Sequence, residues 1–458
     1  MLKINLESIS AMHLSLSRSL LVLACAALPF SAHAVDIQRW HTAEGTQVLL
    51  VARHDNPIVD VQISFKGAGA AFNPPGKGEV ADFTAAMLTD GTRTLDEEAF
   101  NARANDLAAD IGSSSSDEGA SIRLRSLSRA EVLQPALKLV NQSLTEPRFD
   151  AEVFRRRQNQ SVTALQQNET DPAFVADRAA TLLDYPDHPY GSSARTSEQS
   201  LRAVTLADIR AFHRSRYGKN NAIVAVVGDI DRRQTEALVQ TVLAGLPAKS
   251  SRSAAVPPVP ERNAQRRDIP FAAEQAQIVM SMPLIRRDDP DYYALVVGNY
   301  ILGSGGFDGR LMKTLRDQYG YTYGAYSNLA PATEAGAFSI AFSTQKTNAA
   351  PALAAAQKVL ADFVAEGPTE AELQQAKSNL VGTFPLRFDT NAKLLQYLSL
   401  IGFYNLPDDY LEAYPKAVAA ISSAQIKAAW QRRVQPQNMN IVVVGADAPK
   451  NTDAQSKK

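Results

Sequence analysis

Short apolar runs with strand character begin near position 48 of the chain. Residues 48–51 are all apolar, and residues 59–65 alternate apolar with polar side chains, which is the period of a half-buried strand. The turn-forming residues His-Asp-Asn-Pro at 54–57 separate the two runs. This arrangement predicts a β-hairpin.

Helical spacing follows the predicted hairpin. Val80, Phe83 and Met87 recur at intervals of three and four, and residues 97–107 and 131–144 repeat apolar positions at the same period. Strands and helices are therefore mixed in one segment. The pattern predicts an α+β domain in which helices flank a largely antiparallel sheet.

The chain contains this pattern twice. Ile209 and Ile426 lie in similar helical segments, and Gly228 and Gly445 end similar apolar strands that are separated by the same offset. Residues 119–124 also resemble residues 336–341. The repeat is too long for a solenoid, so it predicts two tandem homologous domains.

Residues 247–262, PAKSSRSAAVPPVPER, replace periodic apolar residues with Pro, Ser and Ala, which is typical of a linker. We therefore expect an N-terminal domain over residues 35–246 and a C-terminal domain over residues 263–448. Residues 449–458 are polar and are expected to form a disordered tail.

The segment 1–34 has the order of a secretory signal peptide. Lys3 and Arg18 precede an apolar run at 19–28, and Ala-His-Ala at 32–34 supplies a cleavage site. Initiation at Met12 would shorten the signal, and lipidation at Cys25 is an alternative that the bulky Leu23 disfavours. The sequence predicts export to the periplasm. No later segment has the roughly 18 apolar residues of a membrane span.

Composition and charge exclude several classes of protein. Of 458 residues 45% are hydrophobic and 21% are charged, which is typical of a globular protein. Lys+Arg (47) balance Asp+Glu (48), so no overall field favours nucleic acid. Cys25 is the single cysteine and would leave with the signal, which excludes a disulfide, a thiolate metal site and a cysteine nucleophile in the mature chain.

Two segments resemble a known peptidase family. Residues 75–78, Pro-Gly-Lys-Gly, lead into a helix that ends in Met-Leu-Thr-Asp-Gly-Thr at 87–92, and residues 299–327 contain a Gly-rich loop followed by Arg316 and Tyr323. Together with His54 and Pro57, these features resemble the insulinase and pitrilysin type of zinc metallopeptidases, which includes the mitochondrial processing peptidases. The resemblance covers nearly the whole chain after the signal.

The resemblance implies that the zinc site is lost. Active members carry His-x-x-Glu-His on the first helix, where two histidines bind zinc and the glutamate is the general base, and a later glutamate completes the site. The corresponding residues here are Asp82, Ala85 and Ala86, and the distal position is Ala164. Alanine offers no lone pair to a metal, so we expect no metal in this chain.

The remaining histidines do not suggest another metal site. After the signal the chain has His41, His54, His188 and His213, and no two are four positions apart. Because turn residues surround His54 and His188, we expect them to brace surface loops.

The second half keeps the family's other elements. The resemblance implies that Gly303, Gly305 and Gly306 form a substrate-binding loop, and that Arg316 and Tyr323, separated by seven positions, act as catalytic hydrogen-bond donors. Other interpretations are open. The glycines could simply form a turn, Arg316 could pair with Asp308 or Asp317, and Tyr319, Tyr321 and Tyr323 could line one side of a strand.

These observations predict a noncatalytic, substrate-binding subunit of an exported zinc metalloendopeptidase heterodimer. The zinc would be held by a homologous partner subunit, and peptides would be the substrates. The alternative is a structural or peptide-holding protein on the peptidase scaffold with no role in hydrolysis. A self-sufficient hydrolase is disfavoured because no Gly-x-Ser-x-Gly elbow is present and the serines at 113–116 indicate a flexible loop.

Overall fold

The computed structural model describes residues 35–446. The predicted signal peptide with Cys25 and the predicted tail at 449–458 lie outside the described residues. From Ile37 onward the described chain forms one compact unit.

The described strands form two sheets. They are β1 (Gln38–His41), β2 (Gln47–Ala52), β3 (Ile58–Lys66), β4 (Asp110–Ser115), β5 (Gly119–Leu127), β6 (Ala222–Gly228), β7 (Arg266–Ile269), β8 (Gln275–Ile285), β9 (Ala325–Leu329), β10 (Gly336–Gln345) and β11 (Asn440–Val444).

The two sheets share a topology. The first has the order β1-β2-β6-β3-β5-β4 and the second the order β7-β11-β8-β10-β9. Each sheet is antiparallel except for one parallel pair, β2 with β6 and β7 with β11. Strands β3 and β8 begin at the same offset that separates Ile209 from Ile426, and so do β5 and β10. The α+β architecture and its duplication are therefore as the sequence predicts.

The predicted hairpin is wrong in its pairing. Strands β2 and β3 form where the pattern places them, but β6 lies between them, parallel to β2 and antiparallel to β3. Every residue of β6 is buried, because it occupies the middle of the sheet. The loop after β2 instead passes the end of β6, where His54 Nδ1 lies 2.7 Å from Asp229 Oδ1.

Helices cover the sheets. They are α1 (Val80–Ala86), α2 (Glu97–Asp106), α3 (Ala130–Thr145), α4 (Ala151–Asn168), α5 (Pro172–Asp184), α6 (Glu198–Arg202), α7 (Leu206–Arg216), α8 (Arg232–Leu243), α9 (Tyr292–Asn299), α10 (Ala349–Glu366), α11 (Glu370–Gly382), α12 (Asn391–Phe403), α13 (Tyr410–Ala420) and α14 (Ser423–Arg433). Most begin at a side chain that caps their first turn, such as Thr205 at α7 and Ser422 at α14.

Two equivalent helices are exchanged between the halves. Helix α5 belongs to the first half by sequence but packs on β8 and β11 of the second sheet, and α12 packs on β2, β3 and β6 of the first. Small residues permit the close approach. Ala176, Ala179 and Ala180 share a buried cluster with the second sheet, and a Cβ at Gly402 would lie 2.7 Å from Ile223. Each sheet thus completes its core with a helix from the other half.

The segment between the halves is also anchored. Residues 247–265 contain no described helix or strand, yet Val256 is buried beside Tyr185 and Tyr190. His188 accepts the Tyr190 N–H at Nδ1, so its Nε2–H donates to the Pro257 carbonyl at 2.8 Å. Within residues 35–446, no helix has the length and apolar character needed to cross a membrane.

A buried carboxyl lies where α5 meets the second sheet. Asn440 donates to Asp184 across this contact at 2.8 Å. Burial raises the pKa of Asp184 to about 6, and the hydrogen bond from Asn440 opposes that shift. The folded protein therefore keeps this proton at a pH where the unfolded chain has released it.

Asp184→Asn should flatten the pH dependence of stability. Between pH 4 and 6 the unfolded chain binds fewer protons at this site than the folded protein, so stability falls as pH rises. With the pKa raised from 3.8 to about 6, the contribution amounts to about 3 kcal/mol at most. Denaturant unfolding at several pH values measures it, with the exposed Asp55→Asn as control. Parallel pH profiles for wild type and Asp184→Asn would contradict this assignment.

Candidate functional site

Helix α1 carries the positions that correspond to the zinc motif. Ala85 is buried against the core, and Ala86 and Asp82 are half-buried. The Asp82 carboxylate accepts a hydrogen bond from Ser115 at the end of β4. One carboxylate and two methyl groups do not form a zinc site, because structural and catalytic zinc require three or four N, O or S ligands.

Acidic residues surround Asp82. Burial raises the pKa of Glu79, and the charge of Asp82 adds to that shift. Burial likewise raises the pKa of Asp117, followed by repulsion from Glu118 and Asp82. The region thus has several carboxyl groups, but they do not form a set of metal ligands. Among residues 35–446, no group of three or more His, Cys, Asp or Glu is arranged to hold a metal ion.

The predicted distal position of the zinc site lies on α4. Ala164 is exposed on α4 and lines a surface groove with other residues of the same helix, such as Gln160 and Gln167. Ser161, less than one turn earlier, is half-buried, and its hydroxyl lowers the pKa of Glu79, the residue before α1. We therefore expect Ser161, rather than Ala164, to be the α4 side chain nearer to α1.

In the second half, two π-helical turns flank the Gly-rich loop. Helix α9 continues into a wide turn at Tyr300–Ser304, and another wide turn occupies Met312–Gln318. Such turns are rare and frequently occur at functional sites. A Cβ at Gly303 would come within 2.7 Å of Leu311, so this glycine is required by internal packing. Gly306, by contrast, has φ +68° and open space where a Cβ would be.

Gly305 has a similar internal constraint. A Cβ there would lie 2.7 Å from the Tyr300 carbonyl oxygen. Of the three loop glycines that the sequence nominates, Gly306 is therefore the one that opens to solvent, and the substrate-binding role of all three stays a prediction.

Arg316 stacks on the loop rather than forming an ion pair. Its guanidinium lies 4.7 Å from the centre of the Phe307 ring. No carboxylate within the described chain lies within 4.0 Å of it, so the pairings with Asp308 and Asp317 do not occur. The cation–π contact fixes the planar group and leaves its N–H donors free for another acceptor.

Tyr323 extends into solvent. Its side chain is 86% exposed, although the backbone before it is tied down: Tyr321 N–H donates to the Leu315 carbonyl at 2.8 Å. Tyr319, Tyr321 and Tyr323 do not form one side of a strand, because Gly320 reverses the chain at φ +63° and β9 begins only at Ala325. A phenol this exposed on an anchored backbone is suited to contact another molecule.

Among the described residues, all but one of the large exposed hydrophobic side chains belong to the segment 307–326 that contains Tyr323. Phe307, Tyr319 and Tyr326 are 67%, 49% and 52% exposed. With Arg316 and Tyr323 they define what we call the aromatic face. Exposed aromatic and arginine side chains are enriched at protein interfaces, so this face is a candidate contact surface.

Sequence reasoning missed a buried carboxylate that joins the halves. Glu118 accepts hydrogen bonds from the hydroxyls of Tyr190 at 2.5 Å and Tyr404 at 3.1 Å. The Thr333 N–H also donates to it at 3.1 Å. These partners are all distant from Glu118 in sequence, so no local pattern could reveal the group.

Comparison with solved structures identifies the family. A crystal structure described as a peptidase M16 inactive domain from Pseudomonas fluorescens is 34% identical, with a TM-score of 0.86 over 90% of this chain and 98% of that chain. This chain belongs to the M16 peptidase family. A family profile described as "Peptidase M16 inactive domain" also matches residues 203–380.

Relatives within the family support a noncatalytic protein. The Helicobacter pylori protein named non-peptidase homolog YmxG is 24% identical over 83% of this chain and 87% of its own length. The periplasmic protease PqqL of Escherichia coli shares the fold at 18% identity and a TM-score of 0.75, over 90% of this chain and 46% of that chain. The names of the Helicobacter pylori relative and of the Pseudomonas fluorescens domain support a noncatalytic M16 homologue.

Restoring ligands tests which α4 residue faces α1. Asp82→His and Ala86→His place two imidazoles one turn apart, and a glutamate at the facing position should complete a site for about one zinc per chain. We expect Ser161→Glu to complete it and Ala164→Glu to add nothing beyond the two histidines.

Calorimetric titration measures the zinc affinity of both triple variants. The double-histidine variant is the shared control. Tighter binding with Ala164→Glu than with Ser161→Glu would show that the assigned facing of α4 is wrong.

Proposed function

We propose that this M16 homologue is the noncatalytic, substrate-binding subunit of an exported zinc endopeptidase heterodimer. A homologous partner subunit holds the zinc and the general base, and this chain supplies Arg316 and Tyr323 to the bound peptide. The periplasm is the proposed location, on the evidence of the N-terminal sequence.

The observation that carries the proposal is the contrast between the two halves. At the zinc positions the first half has Asp82, Ala85 and Ala86, which supply one carboxylate but neither a complete ligand set nor the glutamate base of the motif. In the second half Arg316 is held by a cation–π contact with no acceptor among the described residues, and Tyr323 is largely exposed. Hydrogen-bond donors that have no acceptor among the described residues are available to an acceptor on another molecule.

The chemistry of the two donors fits peptide hydrolysis. Attack of water on a peptide carbonyl places negative charge on its oxygen, and N–H and O–H donors directed at that oxygen stabilise the charge. Neither donor activates water, so a metal-bound water from the partner is required. In the proposed complex this chain therefore stabilises developing charge and positions the peptide.

The edge of the first sheet offers a place for the peptide backbone. Strand β4 is the outermost strand of its sheet, and its second half is formed by Ser113, Ser114 and Ser115, which the sequence had indicated as a flexible loop. An edge strand presents unpaired N–H and C=O groups that an extended peptide can pair with, largely independently of its sequence. Asp82 contacts this strand through Ser115, so a peptide paired with β4 would lie beside the position that corresponds to the zinc motif.

A structural role is the alternative. The aromatic face could bury itself against a partner and hold a complex together without contacting substrate. In that case the hydroxyl of Tyr323 would be dispensable, because a phenylalanine ring packs in much the same way.

Tyr323→Phe separates the two functions. If the hydroxyl donates to the oxyanion, turnover of the reconstituted heterodimer at saturating peptide should fall by about 10²- to 10³-fold while assembly is preserved. Tyr326→Phe, on the same aromatic face, is the matched control and should retain full activity. Equal turnover for wild type and Tyr323→Phe in an assembled complex, checked by gel filtration, would support the structural role.

Arg316 should show a different kinetic signature. A guanidinium can hold the ground-state peptide as well as the transition state, so Arg316→Ala should raise KM and lower kcat together. Lys313→Ala, an exposed cation on the same π-helical turn, is the control for loss of charge. If both alanine variants change KM alike and leave kcat unchanged, Arg316 contributes only general charge.

A further inference from the structure

The second half contains a cavity of about 590 Å³ that lies apart from the aromatic face. It is bounded by α9, the π-helical turn after it, α12 and α13, and by the segment that joins α11 to α12. Its wall is aromatic, and the residues that supply it are Tyr292, Tyr300, Phe384, Tyr397, Tyr410 and Tyr414. Several of these rings pack against one another, as Phe384 does on Tyr414 with their centres 4.4 Å apart. The wall is therefore preformed.

The charge in this cavity has one sign. Arg287 and Arg387 line it, and no aspartate or glutamate of the described chain does. Arg287 stacks over Tyr292 at 4.8 Å and donates to the Tyr410 hydroxyl at 3.2 Å. Neither arginine has a carboxylate within 4.0 Å in the described part of the chain, whereas the adjacent Arg286 pairs with Asp288.

A buried amide in the cavity also lacks a partner. Asn299 is 6% exposed and lines the cavity, and its Oδ1 forms no hydrogen bond within residues 35–446. Arg287 Nε is similarly buried and unsatisfied there. Leaving a buried polar group unpaired costs about 1–3 kcal/mol. The Arg287 Nε–H requires an acceptor, such as a carboxylate oxygen, and Asn299 Oδ1 requires a donor, such as the amide N–H of an acylated residue or a peptide.

The site is specific to the second half. The offset that relates Ile209 to Ile426 places Ala70 at the position of Arg287 and Ala180 at that of Tyr397. It places Thr170 and Ser193 at the positions of Arg387 and Tyr410. The first half therefore has none of these groups, although the two halves share a fold.

We propose that this cavity binds a free carboxylate attached to an aromatic or bulky apolar body, with Arg287 and Arg387 holding the carboxylate and the tyrosine wall holding the body. Guanidinium groups pair with carboxylates through two parallel N–H donors, and phenol rings pack on apolar groups. Either a small organic acid or the C-terminal residue of a peptide has this chemistry. The site does not depend on a zinc-bearing partner.

The test uses the full mature chain and four probes, which are N-acetyl-phenylalanine, its amide, an octapeptide ending in phenylalanine, and the same peptide with an amidated C-terminus. Calorimetry should show that each acid binds about 10- to 100-fold more tightly than its amide. Tighter binding of the peptide acid than of the single residue identifies a peptide C-terminus as the source, and the reverse order identifies a small acid.

Variants locate the binding. Arg287→Gln and Arg387→Gln should each weaken the acids by about 10-fold or more and leave the amides unchanged, because a charge-assisted bond is lost. Arg387 is exposed, so its variant should fold even if Arg287→Gln does not. Arg286→Gln is the matched control and should bind like wild type.

Two results would overturn the proposal. One is no detectable binding of either acid at about 10 mM, which corresponds to negligible affinity. The other is acid binding that Arg387→Gln and Arg286→Gln affect equally.

Discussion

The exchange of α5 and α12 between the two sheets is the constraint on which the remaining structure depends. Each sheet packs against one helix that belongs to the other half by sequence. The alanines of α5 and Gly402 of α12 permit the close contact. Neither half is expected to be stable alone, since removing one would expose an apolar sheet face in the other. The relative position of α1 and the Gly-rich loop is fixed in consequence.

Within this rigid frame the two halves have changed in different ways. The α1 region has lost its metal chemistry and become an acidic, partly buried surface around Asp82. The equivalent region of the second half contains the Gly-rich loop and two π-helical turns, the second of which carries Arg316. A fold that needs both halves for stability cannot discard the inactive half. Loss of catalysis in the first half is therefore compatible with continued function in the second.

Much of the fold follows from the sequence, because it depends on local patterns. Apolar periodicity locates β2, β3 and the helices α1 to α3, and the constant offset between the two halves correctly predicts the duplicated sheet. Local patterns could not show that β2 and β3 are not paired with each other, because the strand between them, β6, comes far later in the chain, after helix α7. Strand order depends on long-range pairing, which local alternation does not encode.

The candidate site likewise combines residues that local motifs indicate with residues that only long-range contacts bring together. Asp82, Ala85, Ala86, Arg316 and Tyr323 are implied by the family resemblance, because each of its motifs lies within one element or across a short loop. The α4 position that faces α1 depends on a helix register carried across two intervening helices and a strand pair, which a local motif does not fix. Glu118 and the arginine-lined cavity combine residues distant in sequence, and no motif marks them.

The central claim is that Tyr323 lies at a zinc site contributed by another chain. Site-specific photo-crosslinking tests this most directly, with a benzoylphenylalanine in place of Tyr323 in the mature protein in its native compartment. If Tyr323 lies at that site, the crosslink should form to a second, homologous chain, at a peptide next to a His-x-x-Glu-His helix. Crosslinks confined to copies of this chain, or to chains without that motif, would contradict it.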